Sequence, residues 1–112
     1  MERALDASER IHAPHLLDIE VTQVLRRLVQ RKEITIVRAR QALDDFVQLL
    51  VERHEHQSLL PRVWQLRDSL SAYDGAYVAL AEALGVVLAT ADARLSRVSG
   101  VHCQIEAVGG GR

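Results

Sequence analysis

Cysteine is almost absent from this sequence, because only Cys103 among 112 residues carries a thiol. One cysteine cannot form an internal disulfide or assemble a structural zinc site by itself, which fits a reducing compartment. No apolar run approaches the roughly 20 residues needed to cross a bilayer. The N-terminus also lacks the basic-then-apolar pattern of a signal peptide. These absences predict a cytoplasmic protein that is neither exported nor inserted into a membrane.

An excess of positive charge is also missing, since the formal net charge is −1 with neutral histidines. The total charge therefore does not attract nucleic acid, and any RNA contact must be local. Five arginines around the junction of two predicted helices could form a basic edge, although solvated helix faces look the same. Aromatic residues make up only 4% of the chain and do not interleave with these arginines for base stacking. We favour the solvated interpretation. The five are Arg26, Arg27, Arg31, Arg38 and Arg40.

The composition that remains, 48% apolar and 26% charged, is typical of one soluble globular domain. Its hydrophobic periodicity predicts strands alternating with helices, which favours an α/β fold with a parallel sheet covered on both faces. An all-helical fold is the alternative, and the apolar run at 86–89 argues against it. The predicted strands are 10–16, 51–56, 86–89 and 101–108. Two predicted helices, 17–32 and 35–50, should pack antiparallel to each other. A third begins at Ser58 as its cap, and a fourth spans 74–84 between Ser71 and Gly85.

Three acidic residues could carry chemistry, and each also has a structural explanation. Glu20 lies beside the apolar stripe of its helix, where an ion pair at the core edge is the ordinary reason for a carboxylate. Asp74 could serve the capping of its helix. Asp92 could cap the short helix after the buried strand, but it also leaves the carboxyl end of the sheet, where ligands bind in α/β folds. Together the three offer the oxygen ligands that Mg²⁺ or Mn²⁺ prefers.

Three segments resemble the PIN-domain ribonucleases, especially the VapC toxins: HAPHLLDIE at 12–20, SAYDGAYVALA at 71–81 and LATADARL at 88–95. The resemblance implies that Glu20, Asp74 and Asp92 are metal-coordinating catalytic acids for Mg²⁺ or Mn²⁺. It implies an endoribonuclease that hydrolyses an RNA phosphodiester through a metal-activated water. It also implies a homodimer and a cognate antitoxin that holds the enzyme inactive.

One departure from that family concerns its opening strand, which ends in an aspartate and lies in the middle of the sheet. No apolar strand precedes residue 10, and we interpret the family-like letters at 6–8 as coincidence. We therefore expect an N-terminally truncated PIN-like domain over 1–108, with two inner sheet edges left unpaired and a disordered glycine tail at 109–112. The alternative function is then an inactive module that binds an antitoxin or itself. The histidines show no metal-ligand spacing, and we expect His54 and His56 to face solvent.

Overall fold

The structure, a computed structural model, describes residues 2–5 and 10–108, with side chains described from residue 10 onward. The letters at 6–8 and the tail at 109–112 lie outside the described residues. The chain divides into two compact units, His15–Leu50 and the remainder, Met1–Pro14 with Val51–Arg112. The strands are β1 Glu2–Leu5, β2 Ile11–Pro14, β3 Val51–His54, β4 Val87–Thr90 and β5 Ile105–Ala107. The α-helices are α1 Leu16–Gln30, α2 Ile36–Gln48, α3 Leu60–Gln65 and α4 Ala72–Leu84, and 3₁₀ turns occupy Gln57–Leu59 and Ala93–Arg97.

All five strands form one sheet in the order β3-β2-β1-β4-β5. Two pairs are parallel, β2 with β3 and β4 with β5, as the alternating pattern predicts. Strand β1 runs antiparallel to both of its neighbours, β2 and β4, so the sheet is mixed. The predicted α/β class is confirmed, with β1 as the departure from a wholly parallel sheet.

The expectation that the sheet has two unpaired inner strand edges is wrong. Strand β1 lies between β2 and β4, and all four of its residues pair with β4. A strand needs backbone N–H and C=O groups for pairing, which every residue except proline supplies, and it does not need an apolar run. The absence of an apolar pattern before residue 10 was therefore a poor guide to the absence of a strand.

Helix α4 forms the core of the sheet-bearing unit and packs against β1, β2, β4 and α3. Every residue from 75 to 81 is buried. Its N-terminus is capped by Ser71, whose hydroxyl accepts a hydrogen bond from the Asp74 backbone N–H at 3.1 Å. Its C-terminus ends at Gly85, which adopts a left-handed φ of 68° that glycine tolerates without a steric penalty. The predicted cap at Ser71 and the predicted end at Gly85 are confirmed, and the helix begins at Ala72, two residues before the predicted start.

An internal ion pair attaches the C-terminal segment to α4. Arg62 on α3 donates from Nε and Nη2 to the two carboxylate oxygens of Glu82 at 2.7 and 3.0 Å. Arg62 Nη2 also donates to the Gly100 carbonyl at 2.6 Å, and Glu82 accepts from the His102 backbone N–H at 2.6 Å. One guanidinium and one carboxylate thus fix the loop before β5.

The unit His15–Leu50 is the helical pair α1 and α2, which contact each other. Thr35 caps α2 by accepting a hydrogen bond from the Arg38 backbone N–H. Leu17 and Val21 of the predicted α1 stripe are buried, but Val24 is 42% exposed. Helix α2, described along its whole length, buries none of its residues, and Ile36 is 75% exposed. The apolar periodicity therefore predicted both helices correctly. It predicted the burial of their apolar side chains only in part.

The helix predicted from Ser58 is shorter than expected, and Ser58 does not cap it. Glu55 instead holds the start of the 3₁₀ turn Gln57–Leu59 before α3, because its carboxylate accepts hydrogen bonds from the Gln57 backbone N–H and the Ser58 hydroxyl, both at 2.8 Å. These bonds lower the pKa of Glu55, with the Ser58 hydroxyl contributing most. In the described part of the chain, no helix combines the length and the apolar character needed to cross a membrane.

Candidate metal centre

Asp74 is placed by the well-fixed first turn of α4. It is the third residue of the helix, and its own backbone N–H is the donor in the Ser71 cap. Its carboxylate is therefore not required for that hydrogen bond, and the side chain lies half-buried. The next residue, Gly75, lets α3 approach closely, since a Cβ atom there would lie 3.2 Å from Val63 Cγ1. The helix start and the α3 contact together fix the backbone that carries the carboxylate.

Asp92 follows β4 by two residues and is held by backbone and side-chain bonds. Its N–H donates to Thr90 Oγ1 at 3.0 Å, and Thr90 is fully buried. Its Oδ1 accepts from the Arg94 backbone N–H at 3.0 Å, which confirms that Asp92 caps the following 3₁₀ turn. Arg94 also forms a two-point ion pair with it, from Nε to Oδ1 at 3.0 Å and from Nη2 to Oδ2 at 2.9 Å.

The contacts with Arg94 keep the Asp92 carboxylate ionised, and the charge of Asp74 acts on the same Arg94 guanidinium. Hydrogen bonds from the Arg94 side chain and backbone lower the pKa of Asp92 below its ordinary value. The pKa of Arg94 is raised chiefly by its hydrogen bond to Asp92, and the negative charge of Asp74 contributes a smaller part. Two of the three predicted acids therefore act on one guanidinium.

Glu20 belongs to the other compact unit, on α1, where its side chain is half-buried. Its helix places it one residue before the buried Val21, at the edge of the apolar stripe, as expected. Its convergence with Asp74 and Asp92 stays a prediction.

A PIN domain matches residues 1–101, about nine-tenths of the chain. The chain belongs to the PIN-domain family. The VapC ribonuclease Mb0985 of Mycobacterium bovis is 47% identical over 106 residues, which cover 95% of this chain and 84% of that protein. Ribonuclease VapC1 of Mycobacterium tuberculosis is 47% identical over 98 residues, covering 87% and 74%. Ribonuclease VapC12 of the same species is 40% identical over 100 residues, covering 89% and 78%. The resemblance inferred from the three motifs is confirmed.

PIN nucleases depend on metal ions, and the chemistry of the donors in this PIN domain fits such an ion. Asp92 presents an ionised carboxylate, and both of its oxygens already contact a cationic group, the Arg94 guanidinium. The Arg94 side chain is 85% exposed, so a cation that competes for Asp92 would displace it into solvent. Release of Arg94 would leave Asp92 and Asp74 as oxygen donors, the type that hard divalent cations select.

A second group of possible metal ligands in this PIN domain was missed by sequence reasoning. His12, Glu52 and His54 bring one ligand atom each to within 4.8 Å of the others. The expectation that His54 faces solvent is wrong, because it is half-buried and its Nε2 lies 3.0 Å from His12 Nδ1. His56 is exposed, as expected. The signal in the sequence was the Glu-x-His spacing on a strand, which places both side chains on one face.

Proposed function

We propose that this chain is an endoribonuclease of a toxin–antitoxin pair, with Glu20, Asp74 and Asp92 as its catalytic, metal-coordinating acids. The observation that carries this proposal is the ionised Asp92 beyond the carboxyl end of β4, sharing an electrostatic field with Asp74. That edge of a sheet is where α/β folds bind ligands. The relatives, at 47% identity, are named ribonucleases, which supports RNA as the substrate.

Each acidic residue would bind and orient the metal ion and would not itself attack the RNA phosphate. Asp74 and Asp92 would hold Mg²⁺ or Mn²⁺, and Glu20 is proposed as a third ligand. When bound, such a cation supplies a water of lowered pKa and neutralises charge that develops on the phosphate oxygens. A cation on Asp92 would displace Arg94, and the freed guanidinium would be available to donate to a phosphate of the RNA backbone. Arg94 is thus both a competitor for Asp92 and a substrate-binding group.

The partners we propose are a cognate antitoxin and a second copy of this chain, with the cytoplasm as their location. Exposed apolar side chains on α2 support a protein partner, since Ile36 and Val37 are 75% and 69% exposed. Within the helical unit, α1 and α2 also border a groove of about 330 Å³ with an apolar surface that includes Leu25 and Val29. Exposed apolar surface of this kind typically marks an interaction site.

The deciding experiment measures RNA cleavage by purified protein with Mg²⁺ or Mn²⁺, comparing Asp74→Asn with the wild-type chain. Loss of one metal ligand removes part of a stabilisation worth several kcal/mol, so the rate should fall about 100-fold or more. Because the Ser71 cap uses the Asp74 backbone, the variant should keep its fold and melting temperature. Asp68→Asn is the matched control, an exposed aspartate in the same unit, and should cleave normally.

Unchanged cleavage in Asp74→Asn would reject the assignment of Asp74.

A second function, an inactive module that binds the antitoxin or itself, is favoured by one observation: Arg94 occupies both oxygens of Asp92. Antitoxin binding without cleavage, in both the wild-type chain and Arg94→Ala, would decide for that module. Cleavage that appears or rises in Arg94→Ala would instead show that the guanidinium only competes with the metal.

A further inference from the structure

The group formed by His12, Glu52 and His54 lies on the two outermost strands of one side of the sheet. His12 is on β2, and the other two are on the edge strand β3. In the parallel register, His12 pairs with Glu52 and Pro14 pairs with His54. Side chains two residues apart on a strand point to the same face, so Glu52 and His54 flank the His12 ring.

The distances between the ligand atoms suit a tetrahedral ion. His12 Nδ1 lies 3.0 Å from His54 Nε2 and 3.6 Å from Glu52 Oε2. Zinc bonds of about 2.0–2.2 Å to nitrogen and oxygen place neighbouring ligands of a tetrahedron roughly 3.4 Å apart. The two measured distances lie on either side of that value. The ligand atoms of Glu52 and His54 lie within 4.8 Å of each other, so a rotation of the half-exposed Glu52 side chain would bring all three ligands onto one ion.

The surroundings hold this group in place. His12 is only 5% exposed, so its ring is fixed by the packing of β2. Glu52 uses its other oxygen, Oε1, to accept a hydrogen bond from Arg10 Nη1 at 3.0 Å, which leaves Oε2 directed at His12. A partner that orients a ligating carboxylate in this way is typical of protein metal sites.

We propose that His12 Nδ1, His54 Nε2 and Glu52 Oε2 form a binding site for Zn²⁺, with the fourth position open to water. Two imidazoles and one carboxylate select a borderline transition ion such as Zn²⁺, whereas Mg²⁺ prefers oxygen ligands alone. The site shares no residue with the acidic pair Asp74 and Asp92, and its binding of Zn²⁺ does not depend on ribonuclease activity. Because β3 is an edge strand paired with β2 alone, the ion would cross-link the edge of the sheet.

The test is calorimetric titration of the purified full chain with ZnCl₂ in the presence of excess Mg²⁺, which occupies carboxylate sites. One Zn²⁺ per chain should bind to the wild-type protein and to Asp74→Asn with the same affinity. Removing a partner that only orients a ligand weakens metal binding about 10–100-fold, so loss of a ligand in His54→Ala should weaken it by at least as much. His56→Ala, which removes an exposed histidine two residues away, should bind as the wild type does.

Glu52→Gln provides a second variant that leaves both histidines in place and alters a side chain that is half exposed. It should also weaken Zn²⁺ binding at least tenfold. Zn²⁺ should raise the melting temperature of the wild-type chain and of His56→Ala, but not that of His54→Ala. Equal Zn²⁺ affinity in His54→Ala, Glu52→Gln and wild type would overturn the proposal, as would loss of the ion in Asp74→Asn. His12 and His54 would then form a hydrogen bond and no metal site.

Discussion

Replacement of Glu82 by glutamine tests how strongly the ion pair with Arg62 holds the sheet-bearing unit together. The Glu82 carboxylate accepts three hydrogen bonds, two from Arg62 and one from the His102 backbone N–H. Removing one partner of a fully buried pair costs about 3–5 kcal/mol, whereas an exposed pair is worth about 0–1 kcal/mol. The two side chains are 12% and 25% exposed, nearer the buried limit. We therefore expect Glu82→Gln to lower the free energy of unfolding by about 2–3 kcal/mol.

Urea unfolding at pH 7 measures this change, and thermal melting should show a fall of about 10–20 °C, since 1 kcal/mol corresponds to about 4–8 °C. The matched control is Asp44→Asn, which breaks an ion pair whose Arg40 and Asp44 side chains are 76% and 60% exposed. That variant should lose less than about 1 kcal/mol. Equal losses in the two variants would refute the reasoning that burial sets the strength of the Arg62 pair.

The pH dependence of the same variant gives an independent check. Burial alone raises the pKa of Glu82, but hydrogen bonds from Arg62 and the His102 backbone, with the Arg62 charge, outweigh it and bring the pKa below its ordinary value of 4.5. A carboxylate with a lowered folded-state pKa stabilises the protein above its unfolded value and loses that contribution as the pH falls through the folded value. The difference between wild type and Glu82→Gln should be constant from pH 7 to pH 5.5 and shrink below pH 4.5. A difference that is unchanged at pH 3.5 would contradict this account.

The two ends of α4 yield further predictions, each measured by urea unfolding. Ser71→Ala removes the acceptor for the Asp74 backbone N–H and should cost about 1 kcal/mol, whereas Ser69→Ala, at an exposed serine before the helix, should cost much less. Gly85→Ala should cost about 1–2 kcal/mol because φ is 68°, and a cost near zero would show that the helix end relaxes. Since a Cβ atom at Gly85 would meet no atom within 4 Å beyond its own chain neighbours, that cost comes from the local backbone conformation and not from contact with the rest of the protein.

The features that were predictable from the sequence are those whose cause is local. Ser71 and Gly85 act on residues within a few positions along the chain, so the ends of α4 could be inferred from the residue types alone. The capping role of Asp92 was likewise among the interpretations weighed. Local patterns also place Asp92 after an apolar strand, which is why it was a candidate for chemistry.

The features that were missed depend on contacts between distant segments. The pairing of β1 with β4 joins residues more than 80 positions apart, and no periodicity in the first five residues indicates it. His12 and His54 are 42 positions apart, and their proximity depends on the register between β2 and β3. The role of Glu55 in capping the 3₁₀ turn was missed because Ser58 is the stronger signal by residue type.

Gly75 links the contact between α3 and α4 to the proposed metal ligand Asp74, because it directly follows Asp74 in the chain. With only 3.2 Å between a Cβ atom at this position and Val63 Cγ1, an alanine here would require the Val63 side chain to shift by a few tenths of an ångström. Displacements of about 1 Å in a reacting group can reduce catalysis 100-fold. A shift of a few tenths of an ångström at Asp74 should therefore slow RNA cleavage less than about 100-fold while the protein stays folded, and changes in Val63 that restore the spacing should recover the rate.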